Sequence, residues 1–332
     1  MDTSYEKILD PMMRKYTIFP IHYPKIWSRY KQQLACLWTA EEIDFTYDYD
    51  DYLTLKPEVQ FYIKNILAFF VASDGIVNKG IGDVILKNIQ ITEAIVMYQF
   101  QTAMENIHGE VYSLMLDNII KDKDEKDLLF RSIENNPAIK KMADWSFDKM
   151  NTNTSFGEFL ICNACIEGIF FSGAFASIFW IKKYYTSTNR VKPFMNGLTT
   201  SNKFISRDEG LHYESSVDVY EELNNKVSND RIREIVCSAV EIAINFMTES
   251  LPVKLIGMNS DLMADYIRYI GDRTLVMFGC NKYYNVSNPF NFMETIGQTD
   301  KTNFFELRPH EYQNAYTNNN NKSNKIQVTD DF

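Results

Sequence analysis

The sequence predicts an all-α protein whose core carries acids, and three observations lead there. Prolines leave uninterrupted stretches from Pro57 to Pro137 and from Pro137 to Pro193, which is room for long helices. Apolar residues recur at intervals of three and four while strand-like alternation is scarce. The pattern Glu-x-x-His occurs twice, at Glu105 to His108 and at Glu209 to His212, in a chain with only four histidines.

The elements follow in order. After Pro57, the residues Val59, Ile63, Ile66, Phe70 and Val77 form a helical stripe into which Asp74 falls, so an acid points inward. The next helix is predicted from about Glu93 to Ile120, with Met97, Met104, Glu105, His108, Tyr112, Met115 and Ile119 on one face. Ser155-Phe-Gly-Glu158 reads as a capping box that opens a third helix. In it Glu167, Phe171 and Phe175 follow at i, i+4 and i+8. A fourth helix, from near Ser201 or Asn202, carries Ile205, Glu209, His212 and Val219 on one stripe, with Asp208 beside it. Two more helices are expected, from a cap at Ser228 to about Ser250 and from about Ser260 to Phe278. Lys183 to Gly197 reads as a loop. From about Gln313 the Asn-rich sequence reads as a flexible tail that ends in Val328-Thr-Asp-Asp-Phe332. The expected organisation is one helical domain with a short N-terminal segment over residues 1–312, followed by the tail, 313–332.

Composition narrows the function. The chain has 332 residues, 45% of them hydrophobic and 23% charged, which suits a soluble protein with a thick core. A net charge of −10 argues against a nucleic-acid surface, because phosphate binding needs clustered Lys and Arg. Five cysteines, an odd number without a leader-like segment, fit a reducing compartment and a cytoplasmic location. Cys162 and Cys165 spell Cys-x-x-Cys but lie in an apolar run with no second pair, which favours buried packing over metal binding. Phe159 to Ile181 is long and apolar enough to span a bilayer. Glu167 and Asn163 inside it favour the central helix of a soluble protein, and no membrane association is expected.

The chemistry lies in the inward-facing polar groups. On a helix, Glu-x-x-His puts a carboxylate and an imidazole side by side, ready to offer an oxygen and a nitrogen to one metal. With Asp74 and Glu167 the count becomes four helices, four carboxylates and two histidines. That is the donor pattern of ferritin-like di-metal carboxylate bundles, with Asp in place of one Glu. One copy of so short a motif would be an ordinary helical pair; two on core-facing stripes, with two inward acids, point to a metal site. Mixed carboxylate and imidazole donors suit iron or manganese better than structural zinc. Tyr112 lies one turn beyond His108 on the same face. If metals sit there, its phenol neighbours an oxidising centre, with Phe171, Phe175 and Ile205 as an apolar wall.

The sequence resembles the small, radical-generating subunit of class I ribonucleotide reductase, in its eukaryotic and viral form. The segments that carry the resemblance are Trp38-Thr-Ala-Glu-Glu42, Ala72-Ser-Asp-Gly75, Met104-Glu-Asn-Ile-His108, Glu167-Gly-Ile-Phe-Phe171, Ile205 to His212, Leu251 to Met258 and Lys301-Thr-Asn-Phe-Phe305. The resemblance covers essentially the whole chain from about Tyr16 to Phe332. The resemblance implies a ribonucleoside-diphosphate reductase subunit with two iron ions per chain, manganese being an alternative. Asp74, Glu105 and His108 would hold one ion, and Glu167, Glu209 and His212 the other. It implies a radical on Tyr112, generated with dioxygen, in a pocket walled by Phe171, Phe175 and Ile205. A transfer chain through Trp38, Asp208 and Tyr312 would carry it to a large catalytic subunit, where nucleotides are reduced. It further implies a homodimer and a C-terminal peptide, ending at Phe332, that docks on the large subunit.

Rival readings are a di-iron oxidase of the same architecture, a ferritin-like storage protein and an inactive paralogue. The first should lack the relay of Trp38, Asp208 and Tyr312 together with the docking tail. Chain length and the buried tyrosine disfavour the second, and the presence of all six ligands and Tyr112 disfavours the third. Two departures from the family stand out: the loop between Ile181 and Asn202 is longer than expected, and the N-terminal extension of many eukaryotic members is nearly absent.

Overall fold

A computed structural model describes residues 5–150, 154–186, 193–250 and 258–293. The α-helices are α1 (Pro24–Ala35), α2 (Asp48–Leu53), α3 (Pro57–Gly80), α4 (Leu86–Asn88), α5 (Thr92–Ile119), α6 (Lys123–Phe130), α7 (Ser132–Asn135), α8 (Pro137–Lys149), α9 (Phe156–Cys165), α10 (Phe171–Tyr185), α11 (Asn196–Glu221), α12 (Asn229–Ser250) and α13 (Ser260–Met277). Two π turns interrupt them, Ile81–Ile85 after α3 and Ile166–Phe170 between α9 and α10. No β-strand occurs among the described residues. The compact unit ends at Pro289, and Phe290–Phe332 forms a second unit, of which only residues 290–293 are described.

Helix α5 packs on α3 and α1, while α11 packs on α9, α10 and α1; α5 and α11 also meet. Two helix pairs thus face each other, the ferritin-like arrangement in which inward side chains from four elements converge. Proline at the first position of α1, α3 and α8 supplies helical φ where no N–H bond is needed. The run Phe156–Tyr185 is apolar on all sides because it lies in the middle: 89% of its most apolar window is buried. Its cysteines are buried thiols without a disulfide. Burial pushes Cys162 up to about 12 and Cys165 well above the ordinary thiol value, which opposes the thiolate a metal would need.

Several boundaries differ from expectation. Ser155 does accept from the Glu158 N–H at 3.2 Å, but the Glu158 carboxylate takes Arg231 at 2.8 Å rather than closing a reciprocal box. Helix α13 starts at Ser260 as expected, capped by Asn259, whose Oδ1 accepts from Leu262 N at 2.9 Å. The helix expected from Ser201 begins at Asn196, and α10 runs on to Tyr185, so the connecting loop is shorter at both ends than read. The cause is distant in sequence. Asp48 accepts from the N–H groups of Gly197 and Leu198 at 2.9 and 2.7 Å, and Asp51 from that of Met195 at 2.9 Å. Carboxylates from α2 therefore satisfy the first amides of α11. Gly197 is required there, since a Cβ would lie 2.3 Å from Phe45 Cδ1.

Candidate metal centre

Four elements deliver the six candidate ligands. Asp74 comes from α3, Glu105 and His108 from α5, Glu167 from the π turn Ile166–Phe170, and Glu209 and His212 from α11. None is more than 3% exposed. Their donor atoms form two groups, each with all atoms within 4.8 Å of one another: Asp74, Glu105 and His108, and Glu105, Glu167, Glu209 and His212. Glu105 belongs to both, as a carboxylate between two ions would. The placement of Glu167 departs from the expected i, i+4, i+8 series, because the π turn holds one residue more per turn than an α-helix and resets the phase before Phe171.

Charge and hydrogen bonding test whether cations fit. His108 Nδ1 lies 3.2 Å from Glu105 Oε2 and 3.1 Å from Glu209 Oε1, and His212 Nδ1 lies 2.8 Å from Glu105 Oε1 and 3.1 Å from Glu209 Oε2. Burial disfavours charge on both rings. The surrounding carboxylates outweigh it, raising His212 to about 9 and His108 well above its ordinary value. Burial likewise works against ionised Glu105 and Glu209, but the two imidazoles bring both carboxyls below the ordinary range. For Asp74 and Glu167 the balance goes the other way: burial first, then neighbouring carboxylates, hold both well above the ordinary range, and His108 offsets only part of this at Asp74. Among the described residues, neither oxygen of Asp74 nor Oε2 of Glu167 has a hydrogen-bond partner. Buried acids with orphaned oxygens beside imidazoles lack positive charge, and a pair of divalent cations fits that deficit.

Second partners fix the ligands. Gln101, fully buried, donates from Nε2 to Glu167 Oε1 at 2.9 Å and to Glu105 Oε1 at 3.3 Å. Asp208 Oδ2 accepts from Trp38 Nε1 at 2.7 Å and lies 3.3 Å from His108 Nε2. A proton on Nε2 directed at Asp208 leaves Nδ1 of a neutral His108 facing the carboxylates as a metal donor. Arg207 holds the other oxygen of Asp208, with Nε at 3.0 Å and Nη2 at 2.9 Å. The Trp38 indole stacks on the His108 ring, 6.0 Å between centroids at 23°.

Tyr112 lies beside this cluster on α5, buried, its hydroxyl without a partner among the described residues. Burial and then the charges of Asp74, Glu209, Glu105 and Glu167 push its phenol well above 10. Its ring stacks on Phe70 at 4.5 Å and 9°. Phe70 in turn meets Phe175 at 5.5 Å and Phe171 at 6.2 Å, and all three phenylalanines and Ile205 are buried. The structure thus assembles Asp74, Glu105, His108, Glu167, Glu209 and His212, with Trp38 and Asp208 attached through His108. Tyr312 and Phe332 lie outside the described residues. Sequence reasoning missed the site roles of Phe70, Gln101 and Arg207. Gln101 was accessible, since it precedes Glu105 by one helical turn on the same stripe.

Comparison with known proteins agrees with this architecture. The family described as "Ribonucleotide reductase, small chain" matches residues 15–289. The ribonucleoside-diphosphate reductase small chain of Yaba-like disease virus is 48% identical over 333 residues, covering all of both chains. The human ribonucleoside-diphosphate reductase subunit M2 is 46% identical over 328 residues, 98% of this chain and 82% of its own. Among solved structures, the ribonucleotide reductase Rnr4 homodimer from Saccharomyces cerevisiae superposes with a TM-score of 0.78 at 36% identity, covering 90% of this chain and 92% of that one.

Proposed function

The chain belongs to the ribonucleotide reductase small-chain family, and from that premise we propose that its buried cluster holds two iron ions and that Tyr112 is the side chain they oxidise. It is the small subunit of a ribonucleoside-diphosphate reductase. The observation that carries the assignment of residues is the pair of overlapping donor groups sharing Glu105, with His108 one turn of α5 from a buried phenol that has no partner among the described residues.

Asp74, Glu105 and His108 would hold one ion and Glu167, Glu209 and His212 the other. Bound there, iron supplies the one-electron oxidation of tyrosine at the expense of dioxygen; the same oxygen and nitrogen donors also accept manganese. Tyr112 Oη keeps its proton in the resting protein, since burial and four carboxylates oppose its loss. Phe70, Phe171, Phe175 and Ile205 exclude water and small reductants from the ring. Trp38, Asp208 and His108 form the hydrogen-bonded route by which an electron reaches the site, with Tyr312 as the next station towards the large catalytic subunit.

Residues 1–312 act as the helical domain, and 313–332 as the tail whose end at Phe332 docks on the large subunit. The homodimer reported for the yeast relative supports a homodimer here. Reduced cysteines support a cytoplasmic location.

The deciding experiment adds ferrous iron and oxygen to the metal-free protein and records electron paramagnetic resonance alongside metal content. A tyrosyl doublet that disappears in Tyr112→Phe supports the assignment. Bound iron without a radical would overturn it.

A further inference from the structure

The π turn that carries Glu167 has an unusual neighbour. A Cβ placed on Gly168 would lie 2.7 Å from Cδ2, 2.9 Å from Cε2 and 3.4 Å from Cγ of Tyr213. Contacts below 3.0 Å are sterically closed, so the aromatic ring rests directly on the backbone of the turn, and only glycine admits it. Tyr213 is not free to yield. It follows His212 in α11, its ring is largely buried, and its hydroxyl donates to Thr274 Oγ1 on α13 at 3.3 Å. Thr274 is itself tied back to Ile270 O at 3.0 Å.

The ring therefore spans from α13 to the turn, and its own backbone adjoins a candidate ligand. Glu167 needs such support. Its carboxylate accepts one hydrogen bond, from Gln101 to Oε1, while Oε2 has no partner among the described residues. A π turn has less favourable bonding geometry than the α-helix that could replace it, so side-chain packing must hold it open. The donor group of Asp74, Glu105 and His108 comes from α3 and α5, away from this contact.

We propose that Tyr213 is a positioning residue: its ring, seated on Gly168, holds the π turn so that Glu167 and His212 reach the same metal ion. The inference rests on the reading of Glu167 and His212 as ligands. It separates the two ions, since the strut supports one group and not the other. It also separates the ring from the hydroxyl, because the ring makes the contact and the bond to Thr274 only steadies it.

The test loads the full-length chain with manganese(II), removes loose metal by gel filtration and counts the ions retained, with helix content measured by circular dichroism. The unaltered chain is expected to retain two ions and Tyr213→Phe two. Gly168→Ala is expected to retain one, because the new methyl lifts the ring off the turn, and Tyr213→Val one, because the ring is gone. Two ions in Gly168→Ala or in Tyr213→Val would overturn the strut while leaving the metal reading intact. An unaltered chain that retains none would overturn both. Should Gly168→Ala not yield folded protein, Tyr213→Val alone decides: loss of one ion supports the strut, and retention of both refutes it.

Discussion

Trp38 and Asp208, 170 residues apart in sequence, are joined by a 2.7 Å hydrogen bond from the indole nitrogen to Oδ2, and both are buried. The same oxygen faces His108, so a buried indole and a candidate ligand share one acceptor.

Trp38→Phe keeps an aromatic ring on His108 but removes the donor. Metal content and tyrosyl radical yield should stay near normal, while nucleotide reduction with the large subunit falls to background. The lost bond to a charged partner should cost about 1.5–3 kcal/mol of stability. Parallel radical, turnover and denaturation measurements check this, and normal turnover would remove Trp38 from the route.

Tyr112→Phe should abolish the radical and turnover without harming the fold. The hydroxyl is buried with no partner among the described residues, so its removal deletes an unsatisfied polar group, and the stacked ring on Phe70 remains. Thermal unfolding is expected to shift upwards or stay unchanged; a drop of several degrees would show that the hydroxyl has a structural partner.

Metal should stabilise the fold, and more so as pH rises. In the metal-free protein Asp74 and Glu167 are raised acids, so their contribution is present at low pH and lost as pH climbs past the ordinary carboxylate range. His212 is raised to about 9, and its contribution is full below its ordinary 6.5 and lost as pH approaches 9. Cations compete with those protons, so the rise in melting temperature on adding manganese(II) should grow from acid to neutral pH. At a hundredfold excess over Kd the gain is about 2.7 kcal/mol. A gain independent of pH would mean that the cation binds elsewhere.

Asp48→Ala should destabilise the bundle by about 1–2 kcal/mol, because it strips two amides at the start of α11 of their acceptor. Burial pushes the Asp48 carboxyl up to about 6 despite those amides. Chemical denaturation of the metal-free protein measures the effect; an unchanged midpoint would assign the capping to Asp51 alone.

Removal of the last several residues, through Phe332, should leave the radical intact and prevent association with the large subunit. Unchanged association in a pull-down or by sedimentation would end the docking assignment.

The candidate ligands were legible because α5 and α11 keep a regular 3.6-residue period, which makes Glu105 with His108 and Glu209 with His212 readable as pairs. The start of α11 was not, since its first amides are satisfied by Asp48 and Asp51, about 150 residues earlier in the chain. The π turn at Glu167 left no trace in periodicity, because no residue type marks an i→i+5 bond. Phe70 was visible as one apolar residue among many on its stripe. Only the fold shows that it is the one stacked on Tyr112.

The π turn at Ile166–Phe170 also sets where the gene can change length. It stores one surplus residue within a buried helix, and deleting any one of the five would let the backbone relax to α-helix. The helix downstream would keep nearly its phase, since five residues of a π turn wind about as far as four of an α-helix, and the cost would fall on Glu167, whose position depends on the bulge. Single-codon deletions there should be lethal to activity even where every remaining side chain is unaltered, whereas the surface connections between helices should absorb gains and losses of several residues.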